Sequence, residues 1–154
     1  MPFSEPLIFH NWKSTLPVVD HHWVSKALFR MNTNGKTEFQ YSTVHQLWYY
    51  PPQPNLITRN RMDRFFAHRL FLWMPVNMWG VVLRRTNGLC NRVLTKSGMH
   101  GKTRLVLDVD SFYNIASEYL SCNSCNKKVF IILTCISLFV NSESDSQSYF
   151  CLFC

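Results

Sequence analysis

The chain has 154 residues, a formal net charge of +7, 47% hydrophobic and 15% aromatic residues, and only 5 Gly and 7 Pro. That balance excludes a collagenous, low-complexity or fully disordered chain, because the apolar surface suffices for a core. It also excludes a polytopic membrane protein, since no apolar run approaches the ~20 residues that span a bilayer.

In chain order, residues 1–22 read as an N-terminal tail. Residues 23–128 read as a single domain whose part 79–128 is a degenerate zinc ribbon, and 129–154 as an apolar tail. Met1-Pro-Phe-Ser-Glu-Pro6 has neither the cationic nor the apolar region of a secretory signal. An intracellular chain with reduced thiols is therefore expected, the nucleus being one such location. Trp23–Phe29 suits a short helix or strand, and Asn34-Gly35 is a turn signal that hairpin strands would flank. Pro51-Pro52-Gln53-Pro54 forbids a helix and predicts an extended connector. Arg64–Trp73 is too short to settle helix against strand by periodicity, and Pro75 closes it.

Strands and turns are expected from there on. Trp79–Arg84 is a strand candidate, and Asn87-Gly88 a turn. A short strand at Arg92–Thr95 would be followed by turns at Ser97-Gly98 and Gly101. Arg104–Asp110 alternates, with Leu105, Leu107 and Val109 on one face. Phe112–Leu120 leans to strand, because it leads into a Cys-x-x-Cys turn. The fold class expected is α+β or mainly β: zinc-ribbon-like antiparallel strands in the second half and an aromatic-rich first half.

The six cysteines stand at 90, 122, 125, 135, 151 and 154. Cys122-Asn-Ser-Cys125 has the spacing that lets two thiolates on one tight turn bind a Zn²⁺, and Cys90 is the natural third ligand. In a two-knuckle ribbon the fourth would stand at position 87, where this chain has Asn87, so one expected zinc ligand is missing. His68, His100 and Cys135 are conceivable substitutes. The plain alternative is a pair of unligated thiols. Cys151-Leu-Phe-Cys154 repeats the spacing without flanking turns or strands and reads as chance.

Charge divides the chain more sharply than any linker. Residues 59–104 hold ten Lys and Arg against one acid, Asp63, while the remainder is slightly acidic. Arg84, Arg85, Arg92, Lys96, Lys102 and Arg104 are the expected phosphate contacts for DNA or RNA, giving affinity with little sequence preference. Most of the interleaved aromatics (Phe65, Phe66, Phe71, Trp73, Trp79) are expected in the core. An acidic partner protein is the alternative, which would make the chain a protein–protein or scaffold module. Asp108-x-Asp110 with Glu118 could hold Mg²⁺ for a nuclease, but an arginine-paired strand edge is the plainer reading. There is no Gly-rich phosphate loop and no Gly-x-Ser-x-Gly, so a non-enzymatic module is expected, with no small-molecule substrate and no membrane contact.

The motifs Leu47-Trp-Tyr-Tyr-Pro-Pro52, Phe65-Phe66, Arg69-Leu-Phe-Leu-Trp-Met-Pro-Val76, Met78-Trp79, Leu94-Thr95-x-x-Gly98, Arg104-x-Val-Leu-Asp-Val-Asp110 and Glu118-Tyr-Leu-x-Cys-x-x-Cys125 occur in order. Together they resemble an uncharacterised domain of unknown function from predicted animal proteins associated with mobile elements. The resemblance spans about Trp23 to Val129. It implies a zinc-ribbon-like second half with two Cys-x-x-Cys knuckles, within larger polypeptides, and no established activity. This chain departs at Asn87, which puts zinc occupancy in question. It departs again after Val129, where the tail reads as a truncated or mispredicted extension.

Overall fold

The computed structural model describes residues 5–53, 66–85, 90–132 and 149–151, with side chains left out at 130–132 and 149–151. The chain divides into two compact units, Met1–Leu72 with Gly101–Ala116, and Trp73–His100 with Ser117–Cys154. The fold is α+β, mostly sheet, with aromatic clusters in the N-terminal half.

In the first unit, helix α1 (His10–Thr15) leads into α2 (Val18–Leu28). Asp20, Trp23, Val24 and Leu28 recur at helical spacing and are all buried, so Trp23–Phe29 is helix up to Leu28. Strands β1 (Phe29–Met31) and β2 (Thr37–Phe39) pair antiparallel about the Asn34-Gly35 turn. Gly35 takes φ +70 there, and the Asn32 carboxamide oxygen accepts from the Asn34 and Lys36 backbone N–H groups. Phe9, Trp12, Phe29 and Phe39 meet edge to face with centroids 4.9–6.4 Å apart. Each such pair adds about 0.5–1.5 kcal/mol beyond the area it buries.

Strand β3 (Trp48–Tyr49) pairs antiparallel with β4 (Arg69–Trp73), which resolves the 64–73 ambiguity as strand for its last five residues. Residues 51–53 have no regular structure, and Pro54 lies outside the described residues. Asp20, fully buried, holds this unit together. Its carboxylate accepts from Trp23 Nε1 (2.9 Å), the His68 backbone N–H (2.8 Å) and Asn114 Nδ2 (3.0 Å), and lies 3.2 Å from His68 Nδ1.

The expected strand Trp79–Arg84 is corrected by the second unit. Pro75 starts a short helix α3 (Pro75–Trp79), and Gly80, at φ +63, ends it in the left-handed region that glycine tolerates. Only Arg84 is extended far enough to bridge, to Val93. Strand β5 (Leu94–Met99) runs through the expected Ser97-Gly98 turn. Its register against the next strand slips between Lys96 and Met99, and Gly98 has φ +102, so the turn signal marks a bulge instead.

Strand β6 (Arg104–Leu107) pairs with the first half of the long β7 (Phe112–Cys122), which continues into the second unit. The alternation at 105, 107 and 109 is present, but that face is outward: Leu105 and Leu107 are exposed. In the second unit β5 pairs with the end of β7, and β8 (Lys128–Ile132) pairs with it on its other edge. β9 (Tyr149–Cys151) lies parallel to β8. Residues 133–148 of the expected tail lie outside the described residues. No helix among the described residues is long and apolar enough to cross a membrane.

Candidate metal centre

The pairing of β5 with β7 brings the cysteines together. Leu94 is opposite Cys122 in an antiparallel register, so residues shortly before Leu94 come alongside those shortly after Cys122. A second layer comes from the 83–85 stretch: the Leu94 N–H donates to Leu83 O (2.8 Å) and the Arg85 N–H to Arg92 O (3.0 Å). Between β7 and β8 the chain turns tightly at 122–127. The Asn126 N–H donates to Cys122 O (2.8 Å) and the Cys122 N–H to Lys127 O (3.1 Å). Asn126 sits at φ +52, a left-handed conformation that asparagine accepts more readily than most residues.

As a result the sulfurs of Cys90, Cys122 and Cys125 all lie within 4.8 Å of one another, with Cys90 and Cys122 3.4 Å apart and unbridged. A tetrahedral Zn²⁺ with Zn–S bonds of ~2.3 Å requires sulfurs about 3.8 Å apart, which these spacings bracket. The donor set also suits a borderline-soft cation, because thiolates are soft ligands. Backbone N–H groups of Cys125, then Ser124, point at Cys122 Sγ and lower that thiol from 9.0 to about 7. Cys90 moves the other way: its hydrogen bond to Cys122, then burial, pushes it up. Cys122 therefore ionises before Cys90.

Of the conceivable fourth ligands, the two histidines fall elsewhere. His68 is engaged with Asp20 in the first unit. His100 is buried, with its ring 4.7 Å from that of Tyr119. Asn87 and Cys135 lie outside the described residues. Among the described residues the ligand set is thus three thiols.

The expected phosphate contacts divide. Arg84 and Arg92, both exposed, line a cleft of ≈ 870 Å³ together with Cys90, Cys125 and Asn123. Arg85 is turned inward, 6% exposed, and its guanidinium donates to Cys125 Sγ at 2.7 Å. Lys96 is exposed on β5, and its amine donates to Asn77 Oδ1 (3.2 Å). Lys102 and Arg104 belong to the first unit.

The three carboxylates also separate. Asp108 pairs with Arg69 at 2.6 Å, and Asp110 is exposed in the turn after β6. Glu118, in the second unit, accepts from the Val76 N–H at 2.7 Å. Among the described residues no metal-sized group contains them.

Two relationships escaped the sequence. A lone aspartate in a helix gives no hint that it binds three partners, although its place in line with Trp23, Val24 and Leu28 is a usable signal. Arg85 reads as one more cation of a basic run, and only its alternation with exposed Arg84 marks it as the inward one.

No curated protein and no solved structure matches the chain. A family model does match, over residues 12–143, a span that begins earlier and ends later than the motifs above. The chain belongs to the family described as Domain of unknown function (DUF6729).

Proposed function

We propose that this protein is a non-enzymatic, metal-stabilised module that binds nucleic acid through the basic cleft beside its cysteine cluster. The metal would be Zn²⁺ on Cys90, Cys122 and Cys125, in a degenerate ribbon whose expected fourth cysteine is replaced by Asn87. Its part is structural: it would clamp the 122–127 turn to the stretch before β5 and so fix the guanidiniums that flank it.

One observation carries this reading. Cys90 and Cys125 line the same cleft as the exposed Arg84 and Arg92, with the buried Cys122 sulfur within 4.8 Å of both other sulfurs. A cation on three thiolates would leave one net negative charge, which the buried Arg85 guanidinium at Cys125 offsets. The outer arginines then remain available for phosphate. The cationic excess of residues 59–104 supplies the longer-range attraction.

The test is the salt dependence of binding to a short DNA or RNA duplex. Affinity should fall steeply between low and physiological salt, and Arg84→Glu with Arg92→Glu should flatten the slope by about two phosphate contacts. A flat dependence in the unmodified protein contradicts the proposal. If binding is instead recovered only with an acidic protein that competes with the nucleic acid, the module is a protein-docking one.

A further inference from the structure

Two sets of the first unit's described aromatic residues contrast. Phe9, Trp12, Phe29 and Phe39 pack against one another, as do Trp48, Phe71 and Tyr113, mostly edge to face. Tyr50, Phe66 and Phe112 do not: they are 64%, 69% and 49% exposed. Among the described residues no other aromatic ring packs on them. Single exposed aromatics are ordinary, but these three line one cleft of ≈ 450 Å³, a volume within the usual range for small-ligand sites.

The polar groups of that cleft have a definite chemistry. Arg69 lines it with its guanidinium carbon 4.7 Å from the centre of the Trp48 ring and one terminal nitrogen on Asp108, which fixes the cation in place. Its Nε is buried and has no hydrogen-bond partner among the described residues. Gln53 and Ser111 add an amide and a hydroxyl, which can both donate and accept. His68, also in the wall, has Nδ1 taken by the buried Asp20 carboxylate.

Flat apolar rings, a fixed guanidinium and amide and hydroxyl groups together suit one ligand chemistry. A nucleobase offers a π-face to stack and an edge to hydrogen-bond, while its backbone carries a phosphate. A purely apolar peptide would leave Gln53 and Ser111 without use, and a duplex keeps its base faces stacked inside. We propose that this cleft binds unpaired bases of a single-stranded nucleic acid, which stack on Tyr50, Phe66 and Phe112. This site is separate from the arginine cleft of the second unit and does not depend on the cysteine cluster.

The test uses the full chain and four fluorescein-labelled probes: single-stranded dodecamers of DNA and of RNA, and duplexes of the same length. Tyr50→Ala and Phe66→Ala should each weaken single-strand binding by about ten-fold, the scale of one lost stacking contact, and leave duplex binding unchanged. Comparing the DNA and RNA single strands shows which the cleft prefers. Since both side chains are exposed, an unchanged thermal midpoint confirms that the variants are folded. As a variant-free check, a dodecamer carrying 5-bromouracil should photocrosslink to Tyr50, Phe66 or Phe112, located by mass spectrometry. The proposal is overturned if the unmodified chain binds no single strand, if folded variants bind it undiminished, or if every adduct maps elsewhere. Loss of duplex binding on Arg84→Glu alone, with single-strand stacking intact, bears on the arginine cleft and leaves this one standing. An unmodified chain that binds the duplexes but neither single strand sinks only the stacking site.

Discussion

The Arg85 guanidinium and the Cys125 sulfur are 2.7 Å apart, and the arginine is almost wholly withdrawn from solvent. A cation buried against a thiol is costly unless that thiol is ionised, and an ionised thiol is what a metal ligand must be. The pair therefore connects the sequence's basic run to its cysteines through one side chain. Replacing Arg85 with Met keeps much of its apolar stem and removes the charge. Metal affinity, measured by chelator competition, should weaken by about ten-fold, the usual scale for a group behind a ligand. An unchanged affinity would mean that Arg85 has no part in balancing the site.

Asp20 carries a comparable load in the first unit. With its carboxylate gone, Trp23 Nε1–H, the His68 N–H and Asn114 Nδ2–H all lose their acceptor. Asp20→Ala should cost about 3 kcal/mol or more, because buried donors are left unsatisfied. Asp20→Asn, which keeps one oxygen, should cost less. Denaturant unfolding of the two variants checks the order. Equal, small losses would show that the network contributes little.

Glu118 gives a pH dependence with a definite sign. It is 2% exposed, and burial raises its carboxyl above 4.5 despite the N–H groups of Val76 and Asn77 that favour its charged form. The folded state thus holds the proton more tightly than the unfolded chain. Its stability falls as pH rises from about 4.5 to the raised value and is level beyond it. Glu118→Gln keeps an acceptor for the Val76 N–H and removes that decline. The variant should gain on the unmodified protein as denaturation is moved from pH 4 to pH 7. A parallel pH profile would contradict the assignment.

Much of this arrangement was legible in the sequence where local chemistry decides it. Asn34-Gly35 dictated its hairpin, the run into Cys122-x-x-Cys125 dictated a strand, and the meeting of Cys90 with that pair followed from ligand spacing. Elements whose form depends on a partner were harder to read. Trp79–Arg84 has a strand-like composition, but Pro75 starts a helix that takes in Trp79, and Gly80 stops it. The 105/107/109 alternation shows a strand face without saying which side is covered, since pairing with Phe112–Ile115 of β7 sets the register and not the covered side. The inward turn of Arg85 and the triple use of Asp20 depend on contacts whose partners no local pattern names, although spacing marks both residues as inward-facing.

Metal content is the most direct measure of the central claim, that three thiols form a binding centre. The full chain, purified reduced and without chelators, should carry one zinc per molecule by elemental analysis and by native mass spectrometry. Cys90→Ser and Cys122→Ser should each abolish that occupancy and lower the thermal midpoint. A wild-type chain that remains metal-free when zinc is supplied, or variants that keep a full equivalent, would contradict the account.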